Sequence, residues 1–337
     1  MKDKIDVVIP WVDNTDLNWI STKEKYEKNY LLDKKSNGNN RYQNWENLHY
    51  LLRGIEKYMS WVNKIFIITA NQCPTFINDS HPKLRIINHS EYIPKKYLPT
   101  FNSNVIELNY HRIEELSEQF ILFNDDCFPI AEQKLEDYFI DGIPCDEGIE
   151  SPIVPTDVGN ISNYASYVKA NNILIINQHF NKREVQSRDW DKWCHPCYGE
   201  LLKRNQGLNY WNHFVGFHDY HLPFSLLKST LSEVWKLENE KLDEVCQNKF
   251  RNYNDLSCSL MRYWQLCKGD FIPKKVKGKT FLISGENYCK IVREIEKYNG
   301  PMICLTDDCT SDEFVIIKQE INRVLETKLP EKSSFER

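Results

Sequence analysis

Short, solid apolar runs alternate in the first third of the chain with stretches whose apolar residues return every three or four positions. Ile5-Asp6-Val7-Val8-Ile9 is rich in β-branched residues and is stopped by Pro10, the pattern of a buried strand. Over 45–59 the apolar positions Leu48, Leu51, Leu52, Ile55 and Met59 share one helical face, and Asn44 is the expected N-cap. Lys64-Ile65-Phe66-Ile67-Ile68-Thr69 and Leu84-Arg85-Ile86-Ile87 read as further strands. A helical stretch near 103–118 then leads into a strand at Phe120-Ile121-Leu122-Phe123. Such an order predicts an α/β fold with a mostly parallel sheet and helices on its faces. Ligands of such sheets collect beyond the carboxyl ends of the strands.

From about 140 to 210 the pattern loosens into Gly, Pro, Asn and aromatic residues, which reads as an insertion or lid. Helical patterns return near 223–237 and 255–267. Thr310-Ser311-Asp312-Glu313 spells a capping box, and Phe314, Ile317, Ile321 and Val324 then mark the face of a core-packing helix. The Lys/Asn-rich segment 34–40 reads as a solvated connector, and no internal repeat is visible.

Composition changes this picture little. With 41% hydrophobic and 27% charged residues the chain is ordinary for a globular protein, and its net charge of -5 argues against nucleic acid as a partner. The longest apolar runs, Phe120–Phe123 and Ile173-Leu174-Ile175-Ile176, have the length of strands and not of membrane spans. The opening Met1-Lys2-Asp3-Lys4 runs straight into a strand pattern without the apolar stretch of a signal peptide. The expectation is a cytoplasmic protein, at most peripherally associated with the inner face of a membrane. Eleven cysteines fit buried thiols in a reducing compartment. Cys194-His195-Pro196-Cys197 has metal-like spacing but lacks a second pair, so packed or surface thiols are the preferred reading over zinc.

Four places could carry chemistry. Trp11-Val12-Asp13 follows the first strand, where it could hold a nucleotide base and ribose, or simply form a turn over a buried Trp. Asn124-Asp125-Asp126 also follows a strand. Its carboxylates suit Mg²⁺ or Mn²⁺, or one of them suits a general base; the plain alternative is a capped, solvated turn. In His218-Asp219-Tyr220-His221-Leu222-Pro223, Pro223 suits the first position of a helix. That would set His221 at a helix N-terminus facing a phosphate, against the alternative of a capping or core histidine. Phe250-Arg251 precedes Asn254-Asp255, which is expected to open another helix. A guanidinium there could grip phosphate oxygens or be a surface charge.

Taken together these stretches resemble the Stealth family of sugar-phosphate transferases. The first matching block is Ile5–Asp13. The second runs from Arg41-Tyr42 through Leu51–Tyr58, Trp61–Ile67, Tyr97–Ser103, Ile106-Glu107 and His111–Ile113 to Phe123–Asp126. The third runs from His221-Leu222-Pro223 to Phe250-Arg251 and Asp255, and the fourth is Ile303-Cys304-Leu305-Thr306-Asp307-Asp308. The resemblance implies a Rossmann-like or GT-A-like sheet with flanking helices and a helical C-terminal part. It also implies a nucleotide-sugar-binding half at 1–140, the insertion or lid at 141–210, and a helix-rich half at 211–337 that completes one catalytic domain.

The implied reaction moves a hexose or N-acetylhexosamine 1-phosphate from a UDP-sugar donor to a hydroxyl of a lipid-linked or polymeric glycan acceptor. It forms a phosphodiester and releases UMP, in the synthesis of a capsule or another cell-surface polysaccharide. By resemblance Asp126, His221 and Arg251 occupy catalytic or donor-binding positions. Asp6, Trp11, Val12, Asp13, Arg53, Asn102, Glu107, Thr306 and Asp307 are expected to bind the nucleotide-sugar, and Asp125 with Asp126 to hold Mg²⁺ or Mn²⁺. Thr306 stands where the family commonly has Asn, a shorter reach for a hydrogen bond. The alternative on a similar fold is a conventional glycosyltransferase attacking the anomeric carbon. The intact Asp126, His221 and Arg251 set argues against an inactive carbohydrate-binding protein.

Overall fold

The computed structural model describes residues 4–156 and 163–337. Its main sheet contains β1 (Ile5–Pro10), β2 (Ile65–Thr69), β3 (Leu84–Asn88), β4 (Gln119–Leu122) and β8 (Phe224–Leu227), in the order β3-β2-β1-β4-β8. The first four run parallel, and β8 lies antiparallel against β4 at the edge.

The apolar runs are solid because both faces of this sheet are covered. Ile5, Val7 and Ile9 of β1 join Ile65, Ile67 and Ile121 in one core, whereas Val8 joins Phe66, Ile68, Phe120 and Leu122 in the other. The first core is roofed by α3 (Leu48–Tyr58), α13 (Tyr288–Lys297) and α14 (Ser311–Lys328), through Leu51, Ile55, Ile291, Ile295, Ile317 and Ile321. The second is roofed by α5 (Ser103–Leu108), α6 (Tyr164–His179), α7 (Lys182–Arg188), α10 (Lys228–Leu237), α11 (Asn239–Cys246) and α12 (Ser259–Lys268).

Two small sheets flank this frame. One has the order β10-β11-β5, built from β5 (Cys127–Pro129), β10 (Lys279–Ile283) and β11 (Met302–Asp307). The other has the order β6-β7-β9, built from β6 (Phe139–Ile140), β7 (Ile143–Asp146) and β9 (Ile272–Pro273). The remaining helices are α1 (Leu17–Glu27), α2 (Lys34–Asn37), α4 (His89–Tyr92), α8 (Trp190–Trp193) and α9 (Leu202–Leu208). Among the described residues no helix is long and apolar enough to cross a membrane.

The α/β class, the four parallel strands and the C-terminal helix with its capping box are as expected from the pattern. Several expectations need correction. The helix placed at 45–59 starts at Leu48 with Asn47 at its cap, not Asn44. Glu46 has a left-handed backbone, φ 54, which a helix cannot continue through, and the Asn44 carboxamide oxygen accepts from Glu46 N–H instead. The stretch near 103–118 is α-helical only to Leu108, where Asn109 donates from Nδ2 to the Val105 carbonyl, and a single 3-10 turn follows at Tyr110–Arg112. Among the described residues of 140–210 much is regular: they hold β7 and α6 to α9, and the Ile173–Ile176 run lies inside α6.

The stretch near 223–237 begins as a strand. Pro223 leads into β8, and α10 starts only at Lys228. The helix expected from Asn254-Asp255 starts at Ser259. Segment 34–40 is not a plain solvated connector. Asn37 is buried and exchanges hydrogen bonds with the Arg251 backbone, at 3.1 Å from Nδ2 to the carbonyl and 2.9 Å from N–H to Oδ1.

Candidate active site

In the strand order β3-β2-β1-β4 the chain winds outward from β1 in one direction and from β4 in the other. A crevice therefore opens between the carboxyl ends of β1 and β4, the place where such sheets bind ligands. A cavity of ≈ 790 Å³ lies there, walled by Pro10 at the end of β1, by Trp11 and Val12 after it, and by Asn124, Asp125 and Asp126 after β4. That volume suits a ligand the size of a nucleotide-sugar. Trp19, Tyr42, Trp45 and Phe101 supply aromatic walls. Arg41, Lys169 and Arg251 supply positive charge, and Glu107, Asp307 and Asp308 add acids.

Asp126 sits in the tight connection between β4 and β5. Strand β5 pairs antiparallel with β11, so Cys127 faces Cys304, and both thiols donate to Asp126 Oδ1 at 3.4 Å. The Asp126 carbonyl also accepts from Leu305 N–H at 3.0 Å. The other carboxylate oxygen, Oδ2, lies 3.6 Å from His221 Nε2.

His221 is not at a helix N-terminus. It occupies the loop before β8 with a left-handed backbone, φ 47, a conformation rare outside glycine and found where neighbours impose it. Those neighbours are Thr280, whose hydroxyl donates to the Tyr220 and His221 carbonyls, and Arg262, which donates to the His218 carbonyl at 3.0 Å. Arg262 is itself buried and forked on Asp146 at 2.7 and 2.8 Å. Burial alone would lower the His221 imidazole. Its contact with the Asp126 carboxylate, backed by Asp219, outweighs this and raises it above the ordinary histidine range.

Three more carboxyls are perturbed. Burial, then the like charges of Asp126 and Asp307, push Asp125 up to about 7. Burial likewise raises Glu107 to about 7, against the pull of Arg251 and His221. Asp307 is raised by burial, and its Oδ1 is buried with no hydrogen-bond partner among the described residues. Half-buried acids that repel one another at the mouth of a strand crevice favour a cation among them. Asp125, Asp126 and Asp307 offer hard oxygen donors of the kind that suits Mg²⁺ or Mn²⁺.

Arg251 is held by its backbone on Asn37 and by its guanidinium on Ser103 Oγ, 3.2 Å away, with the Tyr164 ring 5.8 Å off. Arg41, which opens the second matching block, has no role legible in the sequence. Its guanidinium lines the same cavity, where burial and then the neighbouring Arg251 charge lower it, opposed by Asp307 and Asp308. A lone arginine in a sequence carries no signal of such pairing. Lys169, on α6 and paired with Asp219 at 2.9 Å, was missed because its segment was read as irregular.

Among the other expected residues, Trp11, Val12, Glu107, Thr306 and Asp307 line the cavity. Asp6, Asp13, Arg53 and Asn102 do not line it. Asp6 is fully buried below it, accepting from Asn63, Lys64 N–H and Ser117 N–H. Asp13 caps its own turn by accepting from Thr15, while its backbone pairs with Gln72. Arg53 points the other way and clasps Glu336, Glu326 and the Leu329 carbonyl. Asn102 caps α5 and donates to buried Asp255, which also accepts from Asn252 N–H, so this pair shapes the turn carrying Arg251. Cys194 and Cys197 are half-buried.

Comparison with known proteins adds the following. Residues 3–31 match Stealth protein CR1, conserved region 1, and residues 41–145 match Stealth protein CR2, conserved region 2. A capsular polysaccharide phosphotransferase WcwK of Streptococcus pneumoniae is 39% identical over 99% of this chain and 98% of its own length. An exopolysaccharide phosphotransferase cps2G of Lactiplantibacillus plantarum is 34% identical over 99% and 96%. A receptor polysaccharide phosphotransferase WefC of Streptococcus oralis is 33% identical over 99% of each. Among solved structures a glycosyltransferase, GlyE of S. pneumoniae, aligns over 94% of this chain and 78% of its own with a TM-score of 0.25 and 10% identity. At that likeness the fold rests on the sheet topology above.

Proposed function

Because the chain belongs to the Stealth family, we propose that it transfers a sugar 1-phosphate from a UDP-sugar to a hydroxyl of an acceptor glycan, releasing UMP. The relatives' names point to capsular or other cell-surface polysaccharide as the product. The sugar is a hexose or N-acetylhexosamine, the acceptor is lipid-linked or polymeric, and the reaction runs in the cytoplasm. One observation carries the reading: the Asp126–His221 pair and the Arg41–Arg251 pair share one cavity at the carboxyl ends of β1 and β4. Phosphoryl transfer needs positioning and charge neutralisation more than covalent help from the protein, and this set supplies both.

His221, made more basic by Asp126, takes the proton of the acceptor hydroxyl as its oxygen attacks the phosphorus next to the sugar. The pyrophosphate P–O bond breaks, UMP carries away the bridging oxygen, and the bond to the anomeric carbon stays intact. Arg251 and Arg41 meet the charge spreading over the phosphate oxygens. Trp11 and Val12, after β1, border the space for the base and ribose. Asp125, Asp126 and Asp307 would hold Mg²⁺ or Mn²⁺. When bound, that ion neutralises the diphosphate.

Incubation with a panel of nucleotide-sugars tests the reading. A UDP donor should yield UMP, and the reaction should stop in EDTA and resume with added Mg²⁺ or Mn²⁺. Release of UDP would indicate attack on the anomeric carbon instead. Full turnover in EDTA would remove the metal from Asp125 and Asp126.

A further inference from the structure

The Asp126 carboxylate faces a second set of donors besides the oxygens of Asp125 and Asp307. His221 Nε2 lies 3.6 Å from its Oδ2 and Cys304 Sγ 3.4 Å from its Oδ1. One donor atom each from Asp126, His221 and Cys304 can be chosen so that all lie within 4.8 Å of one another. Bond lengths of about 2.0–2.1 Å to nitrogen and oxygen and about 2.3 Å to sulfur space the ligands of a tetrahedral zinc roughly 3.3–3.6 Å apart. Each of the two contacts falls in that range, but through a different oxygen of the Asp126 carboxylate. Coordination through one carboxylate oxygen requires the three donors to close from within 4.8 Å to that spacing, and His221 is the most exposed of them, its side chain 47% open to solvent.

The geometry points to a thiophilic-metal site at Asp126, His221 and Cys304, at which Zn²⁺ inhibits the enzyme by removing the Asp126–His221 pair from proton transfer. Thiolate and imidazole favour zinc over Mg²⁺ or Mn²⁺, which prefer all-oxygen donor sets. Asp126 and His221 line the cavity and Cys304 is buried, so the fourth position left by three protein ligands would open toward the cavity, as in an open zinc site. Cys127, opposite Cys304 across the β5–β11 pair, keeps its hydrogen bond to Asp126 Oδ1 and orients the carboxylate from outside the ligand set. Binding replaces the Cys304 S–H bond with an S–Zn bond and sends the proton to solvent. The inhibition rests on the proposed role of His221, whereas the metal binding stands on the donor geometry alone.

Cobalt(II), which shares zinc's ligand preferences and is coloured, is the probe. The wild-type chain should bind one Co²⁺ with a thiolate-to-cobalt charge-transfer band, and one Zn²⁺ per chain should bleach it. Cys304→Ser should lose the band, whereas a Cys194→Ser, Cys197→Ser double variant should keep it. His221→Ala, changed at an exposed position that tolerates truncation, should bind Zn²⁺ at least about tenfold more weakly. No band in the wild type, a band that survives in Cys304→Ser, or unchanged zinc affinity in His221→Ala would each overturn the proposal. A band in a protein that releases no UMP would uphold this metal site and count against the transfer reaction instead.

Discussion

His221 carries two burdens at once: a left-handed backbone and a place at a cavity mouth beside a carboxylate. A strained non-glycine residue costs on the order of 1–3 kcal/mol and persists where its surroundings over-determine it, which is frequent at active sites. Replacing His221 or Asp126 by Ala should therefore lower UMP release about 10²–10⁴-fold while leaving the circular-dichroism spectrum and melting temperature near wild type. Wild-type turnover by either folded variant would remove that residue from the reaction.

Glu107 gives a separate test through pH. Its carboxyl is raised from 4.5 to about 7, first by burial, so the protonated form fits the fold and ionisation opposes it. Stability is thus lost as pH climbs from about 4.5 to 7, and the penalty is complete above 7. Glu107→Gln should stabilise the chain by at most about 3 kcal/mol at pH 8 and by little near pH 4.5, read by urea denaturation at both values. An equal effect at the two values would contradict the assignment. At this scale the sequence exposed the residues that follow β1 and β4, since a polar cluster after a solid apolar run is a strong local signal. It did not expose the backbone of His221, because Pro223 reads alike at the start of a helix and at the start of a strand.

Helix α3 approaches β5 so closely that a methyl group on Gly54 would stand 2.3 Å from the Pro129 carbonyl oxygen. Strand β5 begins one residue after Asp126, so a shift of β5 reaches the site directly. Gly54→Ala should lower both the melting temperature and kcat, with the donor KM less affected. A variant with wild-type kcat would show that α3 does not set the position of Asp126. On the same helix, Arg53 latches α14 and the C-terminal segment through Glu326 and Glu336, away from the cavity. Its side chain and that of Glu336 are 7% and 6% exposed. Arg53→Met should cost about 3–5 kcal/mol, the usual effect of leaving a buried charge unpaired, and leave the donor KM unchanged. A raised donor KM in a stably folded variant would restore Arg53 to the binding site.

Strands buried on both faces were legible as elements because their runs are almost wholly apolar, with Asp6 in β1 and Thr69 in β2 as buried exceptions. Helix α6 was not. It buries Asn172 on Ser257 and exposes Leu174, so its apolar positions lack the helical period.

For the molecule as a whole, the parallel order of the first strands already implied where a ligand binds, since the switch between β1 and β4 follows from topology. What the sequence could not convey is how distant segments close the cavity. Asn37 and Arg251 bond across 214 residues, and β11 brings Cys304, Thr306 and Asp307 beside the connection that follows β4. Such contacts leave no periodic trace, and only the resemblance joined the four blocks before the fold was seen.

All these parts serve one proposed event, cleavage of the pyrophosphate with the sugar's own C–O bond preserved. A UDP-sugar carrying oxygen-18 in the bridge between the anomeric carbon and phosphorus reports on that bond directly. Full retention of the label between sugar and phosphorus in the joined product is the predicted result. A product without it, accompanied by labelled UDP, would contradict the account.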